Sequence, residues 1–505
     1  FFEMICDYIT NIMIFLKGIT MKLKLISVAV CGVMCAVLSG GVAAQQPEQK
    51  AVATATNESA FSVYDSQIYG LLFNSPEMRA VFNDEKLLSY WLQYERELAK
   101  AQAQHGVIPA EAAQKIAEVA IPSNVNRADL KTSTRKVGRP VDGLVKQIRK
   151  LDPLAQKYVH FGSTTQDVMD TATVLQIRDG IDVIQGKLKA VILRVADLAE
   201  KYADTPMIAR TNGQDAIPST YGMHLASYLA ELNRNAIRLE QAKERVCVGQ
   251  FGSAVGTMSS AGDKALKVRA TLMKNLGLSV ADFPWNASRD NYAETVQVLA
   301  LINGTLGRIA TDLNLWSRTA DNSISEGEGG PSSTMPQKRN PRAAEFIGGL
   351  TAMARIRATG AMEMLEQSEV RQGAPWISEW STIPEMFMIT ATSLDRADAM
   401  FTKLIVRPDV MLERFGDSQH YAMAEAVQQF LVPKVGLGKA HSMLVKAIKN
   451  APKGTPFEDV LKTDPELKKV LSEQDIAFVL NPKNYLGQAK RLVNDCVTKV
   501  KRQNR

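Results

Sequence analysis

The sequence predicts an all-α protein. Apolar side chains recur at helical spacing through long stretches, for example from Leu87 to Leu98 and from Ala293 to Ile324. Nowhere do short apolar strands alternate with helices in the pattern that would indicate an α/β fold. The 505 residues are 46% hydrophobic and 22% charged, which is ordinary for a large soluble protein with an ample core.

The N-terminal part of the sequence has the pattern of an export signal. Met21–Lys24 contains two lysines, and residues 25–39 are almost continuously apolar. Small residues follow at 40–44, where Val42 and Ala44 suit the −3 and −1 positions of a cleavage site. The apolar run is short for a membrane span, so a cleaved signal is favoured over an uncleaved anchor.

We therefore expect residues 21–44 to be a signal peptide and residues 45–61 a short leader. The mature protein is then expected to be periplasmic or secreted, with no stable membrane association after cleavage. Residues 1–20 begin with Phe rather than Met, and we interpret them as translated upstream sequence.

Charge and cysteine content restrict the partners of the chain. The formal net charge of +7 is spread among interspersed acidic residues, and only the tail 499–505 is a basic cluster. Because no basic patch is interleaved with aromatic residues, we expect no nucleic-acid partner, whereas a small anionic substrate suits the positive excess. After the expected cleavage only Cys247 and Cys496 remain, which gives no metal-ligand spacing and leaves a single long-range disulfide open.

The helical pattern from residue 62 onward is divided into three predicted domains. An N-terminal domain over 62–165 contains a helix that opens at Asp84 and ends before Gly106, where a Gly-to-Pro stretch stops it. A central domain over 166–405 contains the longest apolar-striped runs. A C-terminal domain over 406–505 completes the chain.

A glycine-rich loop beginning at Gly327 has the strongest chemical pattern. It continues through two adjacent serines to Lys338 and ends in Asn340-Pro341, followed by a helical run. Asn340 is expected to be the N-cap and Pro341 the first helical residue. Free N–H groups at such a helix N-terminus can hold a carboxylate. Spacing alone would equally allow a linker between two helices.

Three further segments place polar side chains next to long helices. Residues 160–167, His-Phe-Gly-Ser-Thr-Thr-Gln-Asp, are rich in hydroxyls and precede a helix of roughly 30 residues, which predicts a second anion site. Residues 209–222 lie between two long predicted helices. Residues 285–290, Trp-Asn-Ala-Ser-Arg-Asp, precede the apolar-striped run that starts at Ala293.

These motifs together resemble the fumarase/aspartase superfamily. The glycine-rich loop is similar to the signature Gly-Ser-Ser-x-Met-Pro-x-Lys-x-Asn, with Pro331 in the place of its first glycine. Residues 160–167 resemble the first shared region, His-x-Gly-x-Thr-Ser-x-Asp, and residues 209–222 resemble the second. Residues 285–290 and 373–380 are similar to bacterial 3-carboxy-cis,cis-muconate cycloisomerases, and the likeness extends over about residues 62–490.

The resemblance implies an all-α, fumarase/aspartase-type fold with a long central helical bundle between smaller N- and C-terminal helical domains. It also implies a homotetramer with shared active sites and no cofactor or metal. The bundle helices are expected at 170–202, 215–247, 291–323, 341–366 and 378–402.

The activity implied is reversible elimination of a group β to a carboxylate of a small di- or tricarboxylate, through an enolate-like dianion. The implied catalytic residues are Ser332 as the base, His160 and Lys338. Asp167 and Glu345 are implied to be structural. The implied substrate-binding residues are Thr164, Thr165, Gln166, Arg210, Asn212, Gln214, Arg289, Ser333, Met335, Asn340 and Arg371.

Departures from the family pattern bear on which activity is present. Asn212 stands where adenylosuccinate and argininosuccinate lyases have a histidine, and asparagine cannot exchange a proton near neutral pH. This favours a cycloisomerase over an adenylosuccinate-lyase-like C–N lyase, which remains an alternative. Ile377 also replaces a family histidine, and Pro331 stiffens the loop, so a catalytically idle exported binding or scaffold protein is the third hypothesis. The retained Ser332 and Lys338 argue against it.

Overall fold

The computed structural model describes residues 62–327 and 329–504. Its N-terminal part consists of six short helices and one longer helix. That longer helix starts at Asp84, as predicted, because the side-chain oxygen of Asn83 accepts the Lys86 N–H at 2.8 Å. Its end precedes Gly106, which has a φ of 62°. The helices are Gly70–Phe73 (α1), Pro76–Val81 (α2), Asp84–Gln104 (α3), Ala110–Val119 (α4), Arg127–Val137 (α5), Pro140–Arg149 (α6) and Pro153–Tyr158 (α7).

Five long helices then pack side by side and bury the main core. The first packs against the second and the fifth, and the third packs against the second, fourth and fifth. The five long helices are Thr165–Lys201 (α8), Tyr221–Val246 (α9), Asp290–Trp316 (α11), Arg342–Glu363 (α12) and Gly373–Thr402 (α13). A shorter helix, Ala265–Leu276 (α10), lies between the second and the third in the sequence. The all-α prediction is confirmed. The third long helix ends seven residues earlier than the predicted 323.

The predicted helix start at residue 215 is wrong, because a β-hairpin occupies this stretch. Strands Pro206–Thr211 (β1) and Gln214–Thr220 (β2) pair antiparallel, and α9 begins only at Tyr221. The two turn residues, Asn212 and Gly213, have φ values of 52° and 76°. An Asn-Gly pair is a strong sequence signal for such a two-residue hairpin turn, and the helical interpretation missed it.

Short strand pairs join the long helices. They are Val248–Gly249 (β3) with Ser279–Val280 (β4), Ile324–Glu326 (β5) with Leu404–Val406 (β8), and Gly330–Pro331 (β6) with Arg339–Asn340 (β7). A second core forms among the helices that follow β8, and Ile208 of β1 packs into it. The helices that follow β8 are Pro408–Asp417 (α14), Ala424–Val435 (α15), Leu437–Asn450 (α16), Phe457–Thr463 (α17), Glu473–Leu480 (α18) and Ala489–Gln503 (α19). The last of them, α19, packs back on α8 and α9 and contributes to the main core instead. The proposed boundaries between three domains stay predictions.

The predicted signal peptide, leader and upstream segment lie outside the described residues. Within residues 62–327 and 329–504, no helix is long and apolar enough to cross a membrane. Cys247 and Cys496 are both free thiols, so the long-range disulfide left open by the sequence is not formed.

Candidate active site

The glycine-rich loop is closed at its base by a pair of antiparallel strands of two residues each. Gly330 pairs with Asn340 and Pro331 with Arg339, and the Asn340 side-chain amide donates to the Gly330 carbonyl at 3.2 Å. Asn340 is therefore a strand residue and not the helix N-cap that the sequence predicted. Pro341 is the N-cap, and α12 begins at the next residue. The strand pairing holds Asn340 away from the capping position.

The N-terminus of α12 holds a carboxylate from the chain itself. The two oxygens of Glu326 accept the backbone N–H groups of Ala343 at 3.0 Å and Ala344 at 2.8 Å. These N–H groups point out of the first helical turn and attract negative charge, as expected at a helix N-terminus. In this structure they are therefore not open to a substrate carboxylate. Glu345 lies on the same turn and pairs with Arg342 at 2.7 Å.

The hydroxyl oxygen of Ser332 lies in a turn that surrounds it with backbone donors. It accepts the N–H of Met335 at 3.1 Å and, more weakly, the N–H of Thr334 at 3.4 Å. Donors aimed at an oxygen stabilise its ionised form. Ser333 and Lys338 are exposed on the same loop, and Lys338 closes the turn through its N–H bond to the Met335 carbonyl at 3.0 Å.

His160 forms a buried pair with a carboxylate that the sequence did not reveal. Its Nδ1 lies 2.6 Å from Oε1 of Glu95, whose side chain is fully buried on α3. Burial acts to lower the pKa of His160, but the charge and hydrogen bond of Glu95 outweigh it and raise the pKa above its usual 6.5. The missed signal was the position of Glu95 on the apolar face that includes Leu88 and Leu98, where an unpaired carboxylate is rare.

Replacing Glu95 with glutamine is expected to bring the pKa of His160 below 6.5. The substitution removes the charge that raises this pKa and leaves burial, which lowers it; the nearby Asp167 and Arg149 oppose each other and remain. Titration of ¹³C-labelled histidine by NMR measures the shift, with a His160→Gln variant to assign the signal. An unchanged pKa in folded Glu95→Gln protein would contradict the pairing.

Asp167 ties the loop of residues 160–167 to a neighbouring segment. Its carboxylate accepts N–H groups from Thr164 at 3.0 Å, Gly252 at 2.8 Å and Ser253 at 3.1 Å. Burial raises its pKa to about 6, and the three N–H donors oppose that rise. Thr164 and the following Thr165 are partly exposed at the start of α8, and the side chain of Thr164 takes part in the capping box of that helix.

The side chain of Gln166 is directed into the protein. Its side chain is buried and donates to the Asn286 carbonyl at 2.8 Å. The substrate contact that the family resemblance implied for Gln166 stays a prediction. The residue connects the start of α8 to the segment before α11.

Arg289 is likewise buried, between two carboxylates. It donates two hydrogen bonds of 2.9 Å to Asp170, which also accepts from Trp376 Nε1 at 3.1 Å. Its Nε lies 2.9 Å from Glu379 without hydrogen-bond geometry. Burial raises the pKa of Glu379 to about 8, against the attraction of Arg289. The guanidinium thus lies between two acids of its own chain, and its predicted contact with substrate stays a prediction.

The second predicted region lies on the β1–β2 hairpin. Arg210 pairs with Asp215 at 2.9 Å and with Asp321 at 3.0 Å, which anchors the hairpin to the segment before β5. Asn212 and Gln214 are exposed at the turn. Arg210 also lines a cavity of about 680 Å³.

The predicted residues fall into three groups within one chain. The first surrounds the loop of residues 160–167 and includes Arg371, which donates to the Ala254 carbonyl at 3.4 Å, next to the segment bound by Asp167. The second is the hairpin turn, and the third is the glycine-rich loop. Among the described residues, no hydrogen bond or ion pair joins one group to another. A cavity of about 840 Å³ between α3, α5, α8 and α13 is lined by none of the predicted site residues.

Comparison with known proteins identifies the family. A family model described as lyase matches residues 73–356. A trans-aconitate decarboxylase 1 from Mycosarcoma maydis is 34% identical over 429 residues, covering 84% of this chain and 87% of the relative. The 3-carboxy-cis,cis-muconate cycloisomerase of Pseudomonas aeruginosa is 34% identical over 440 residues, covering 85% and 95%.

A solved structure agrees with these relatives. The crystal structure of a 3-carboxy-cis,cis-muconate lactonizing enzyme from Pseudomonas putida superposes with a TM-score of 0.82 at 32% identity, over 86% of this chain and 99% of that one. The family resemblance and the fumarase/aspartase-type fold are thereby confirmed. The chain belongs to the lyase family, as a lyase or cycloisomerase of the fumarase/aspartase superfamily.

Proposed function

We propose that the chain is an exported enzyme that acts on a small polycarboxylate by reversible β-elimination or addition, like 3-carboxy-cis,cis-muconate cycloisomerase. The observation that carries this proposal is the position of the Ser332 hydroxyl oxygen under the N–H groups of Met335 and Thr334. A serine hydroxyl is a very weak acid, and such donors are what its anion needs to act as a base.

The proposed chemistry begins with removal of the proton α to a substrate carboxylate by Ser332. The enolate-like dianion that results needs fixed positive charge and donors, which Lys338 and the partly exposed residues Thr164 and Thr165 would supply. In a cycloisomerase the leaving group is a carboxylate of the same molecule, so the reverse step, addition, closes a lactone. The pKa of His160 is raised by Glu95, so His160 is available to donate a proton to the substrate during the reaction.

A substrate screen tests the proposal. The purified protein is incubated with 3-carboxy-cis,cis-muconate, trans-aconitate, adenylosuccinate, argininosuccinate, aspartate and fumarate, and products are identified by NMR. Lactone formation from 3-carboxy-cis,cis-muconate is the expected result. Turnover of adenylosuccinate instead would establish the C–N lyase alternative, and a folded protein that turns over none of the six would favour the idle scaffold.

We also propose that the active sites are shared within a homotetramer. Within the described part of one chain, no hydrogen bond or ion pair joins the three groups of site residues, which suits sites completed by residues of other subunits. Apolar side chains on the long helices are exposed, including Ile237 on α9, Leu301 on α11 and Ile356 on α12, at 43%, 50% and 65%. Such faces are expected to be covered by other subunits.

Light scattering of the purified protein is expected to give four times the mass of the mature chain at micromolar concentration. The physical reason is that burial of the apolar helix faces favours association. An aspartate substitution at Ile356 is expected to shift the mass toward smaller species, while the same change at exposed Leu437, on α16 of the second core, serves as the control. A monomer mass for the unsubstituted protein would refute the assembly and the shared site together.

Export is expected because of the charged, apolar and small-residue segments between Met21 and Ala44. The mature protein is expected to begin near Gln45 and to be recovered from the periplasm or medium. N-terminal sequencing of the secreted fraction measures this, and a variant with aspartate in the apolar run at Leu25 provides a control that blocks export. Recovery of the protein from the cytoplasm with Met21 intact would contradict the proposal.

A further inference from the structure

Two arginines beside the loop of residues 160–167 have no carboxylate partner. Arg139 precedes α6, and Arg371 precedes α13. Among the described residues neither forms an ion pair; Arg139 donates to the Gly138 carbonyl at 2.6 Å and Arg371 to the Ala254 carbonyl at 3.4 Å. A guanidinium nitrogen of Arg139 would lie 3.7 Å from a Cβ placed on Gly373, two residues after Arg371. Burial, and next the positive charge of Arg371, lowers the pKa of the Arg139 guanidinium. Like charges are therefore kept together without compensation.

The guanidinium of Arg139 is oriented by two tryptophans. Its central carbon lies 4.6 Å from the ring centroid of Trp376 and 5.0 Å from that of Trp380, and the two rings are packed edge to face. A guanidinium stacked on aromatic rings keeps its N–H groups free at its edge, and its planar geometry matches a carboxylate. Because this orientation exists before any ligand binds, little side-chain entropy is lost on binding.

Both arginines are connected to the loop of residues 160–167 by short chains of contacts. Trp376, on which Arg139 stacks, donates from Nε1 to Asp170 on α8, just after the loop. Ala254, to which Arg371 donates, follows Ser253, whose N–H binds Asp167 in the loop. The pair of cations thus borders the same loop that presents the hydroxyls of Thr164 and Thr165.

We propose that Arg139 and Arg371 together form a carboxylate subsite, which binds a substrate carboxylate distant from the reacting bond. The inference rests on the proposed function, since it assigns the polycarboxylate specificity of that site. The ligand class is a small tricarboxylate, or a dicarboxylate whose second acid is remote from the first. A bidentate, charge-assisted pair with the stacked Arg139 supplies both affinity and orientation.

Isothermal titration calorimetry with two inert probes tests the subsite. Tricarballylate and succinate differ by one carboxymethyl group, and the unsubstituted protein is expected to prefer tricarballylate. Arg139→Gln is expected to weaken tricarballylate binding by about tenfold or more, as for loss of a charged hydrogen-bonding partner, and to leave succinate binding within about threefold. Arg371→Gln is expected to give the same selective loss and serves if Arg139→Gln does not fold.

Two further variants separate a built subsite from general electrostatics. Lys136→Gln removes one positive charge three residues away, from an exposed side chain, and is expected to affect both probes equally and weakly. Arg139→Lys keeps the charge but loses the planar stacking, and it is expected to recover only part of the preference.

Equal binding of the two probes by the unsubstituted protein would overturn the proposal, as would an equal loss in Arg139→Gln and Lys136→Gln. The proposed function fails separately. A protein that turns over none of the screened compounds, but keeps a preference for tricarballylate that depends on Arg139, would retain the subsite and lose the assigned chemistry.

Discussion

Ser332→Ala is expected to lower kcat by on the order of a thousandfold or more, which corresponds to about 4 kcal/mol in the barrier. The proposed base is the Ser332 hydroxyl, which accepts hydrogen bonds from the N–H groups of Met335 and Thr334. Alanine leaves no group at this position to take the substrate proton. Steady-state kinetics on the substrate that the screen identifies measure the effect. Circular dichroism and light scattering establish that the variant keeps its fold and assembly.

Ser333→Ala is the matched control for this prediction. Ser333 is adjacent, exposed on the same loop and of the same residue type, so its substitution alters the loop equally without removing the held oxygen. Its substitution is expected to reduce stability by the contribution of one hydrogen bond, about 1 kcal/mol or less, and to change the rate little. If Ser332→Ala retains more than about a tenth of the original rate, or if the two variants lose activity equally, the base is another group.

The helical architecture could be predicted because its signal is repeated. On α8, the buried Ile177, Ile181, Ile184 and Leu188 recur every three or four residues, so one ambiguous position does not alter the interpretation. The β1–β2 hairpin depended on a single Asn-Gly pair and was overridden by the helical pattern that follows it. The helices, whose pattern repeats, were therefore predicted correctly, whereas the hairpin, which has one local signal, was missed.

The candidate site shows the same division between local and long-range information. The loop from Ser332 to Asn340 is contiguous, so its residues could be recognised together in the sequence. The loop of residues 160–167 depends instead on remote partners: Glu95 is 65 residues from His160. Such pairings depend on how helices pack, and no spacing in the sequence encodes them. They also change the interpretation of individual residues, because a side chain expected to meet substrate can be neutralised by its own chain.

Arg289 is such a side chain, and its substitution is expected to cause the largest loss of stability. Arg289→Met is expected to reduce the free energy of unfolding by about 3–5 kcal/mol, the range for removing one member of a buried ion pair. The side chain is 0% exposed, and its removal leaves Asp170 and Glu379 buried without their cation. Urea unfolding followed by circular dichroism measures the change. The matched control is Arg245→Met, because Arg245 forms a two-hydrogen-bond pair with Glu294 at the surface and is expected to contribute about 1 kcal/mol or less.

The loss caused by Arg289→Met is also expected to depend on pH. A buried acid whose pKa is raised binds more protons in the folded state than in the unfolded state, so stability falls as the pH rises from the unfolded pKa through the folded one. Glu379 already has this property in the unsubstituted protein, between its ordinary 4.5 and about 8. Without the guanidinium Glu379 loses the attraction that opposes this rise in its pKa, so the deficit should be smaller at pH 5 than at pH 8. A deficit equal to that of Arg245→Met, or one that grows on acidification, would show that Arg289 does not hold the two carboxylates in the folded protein.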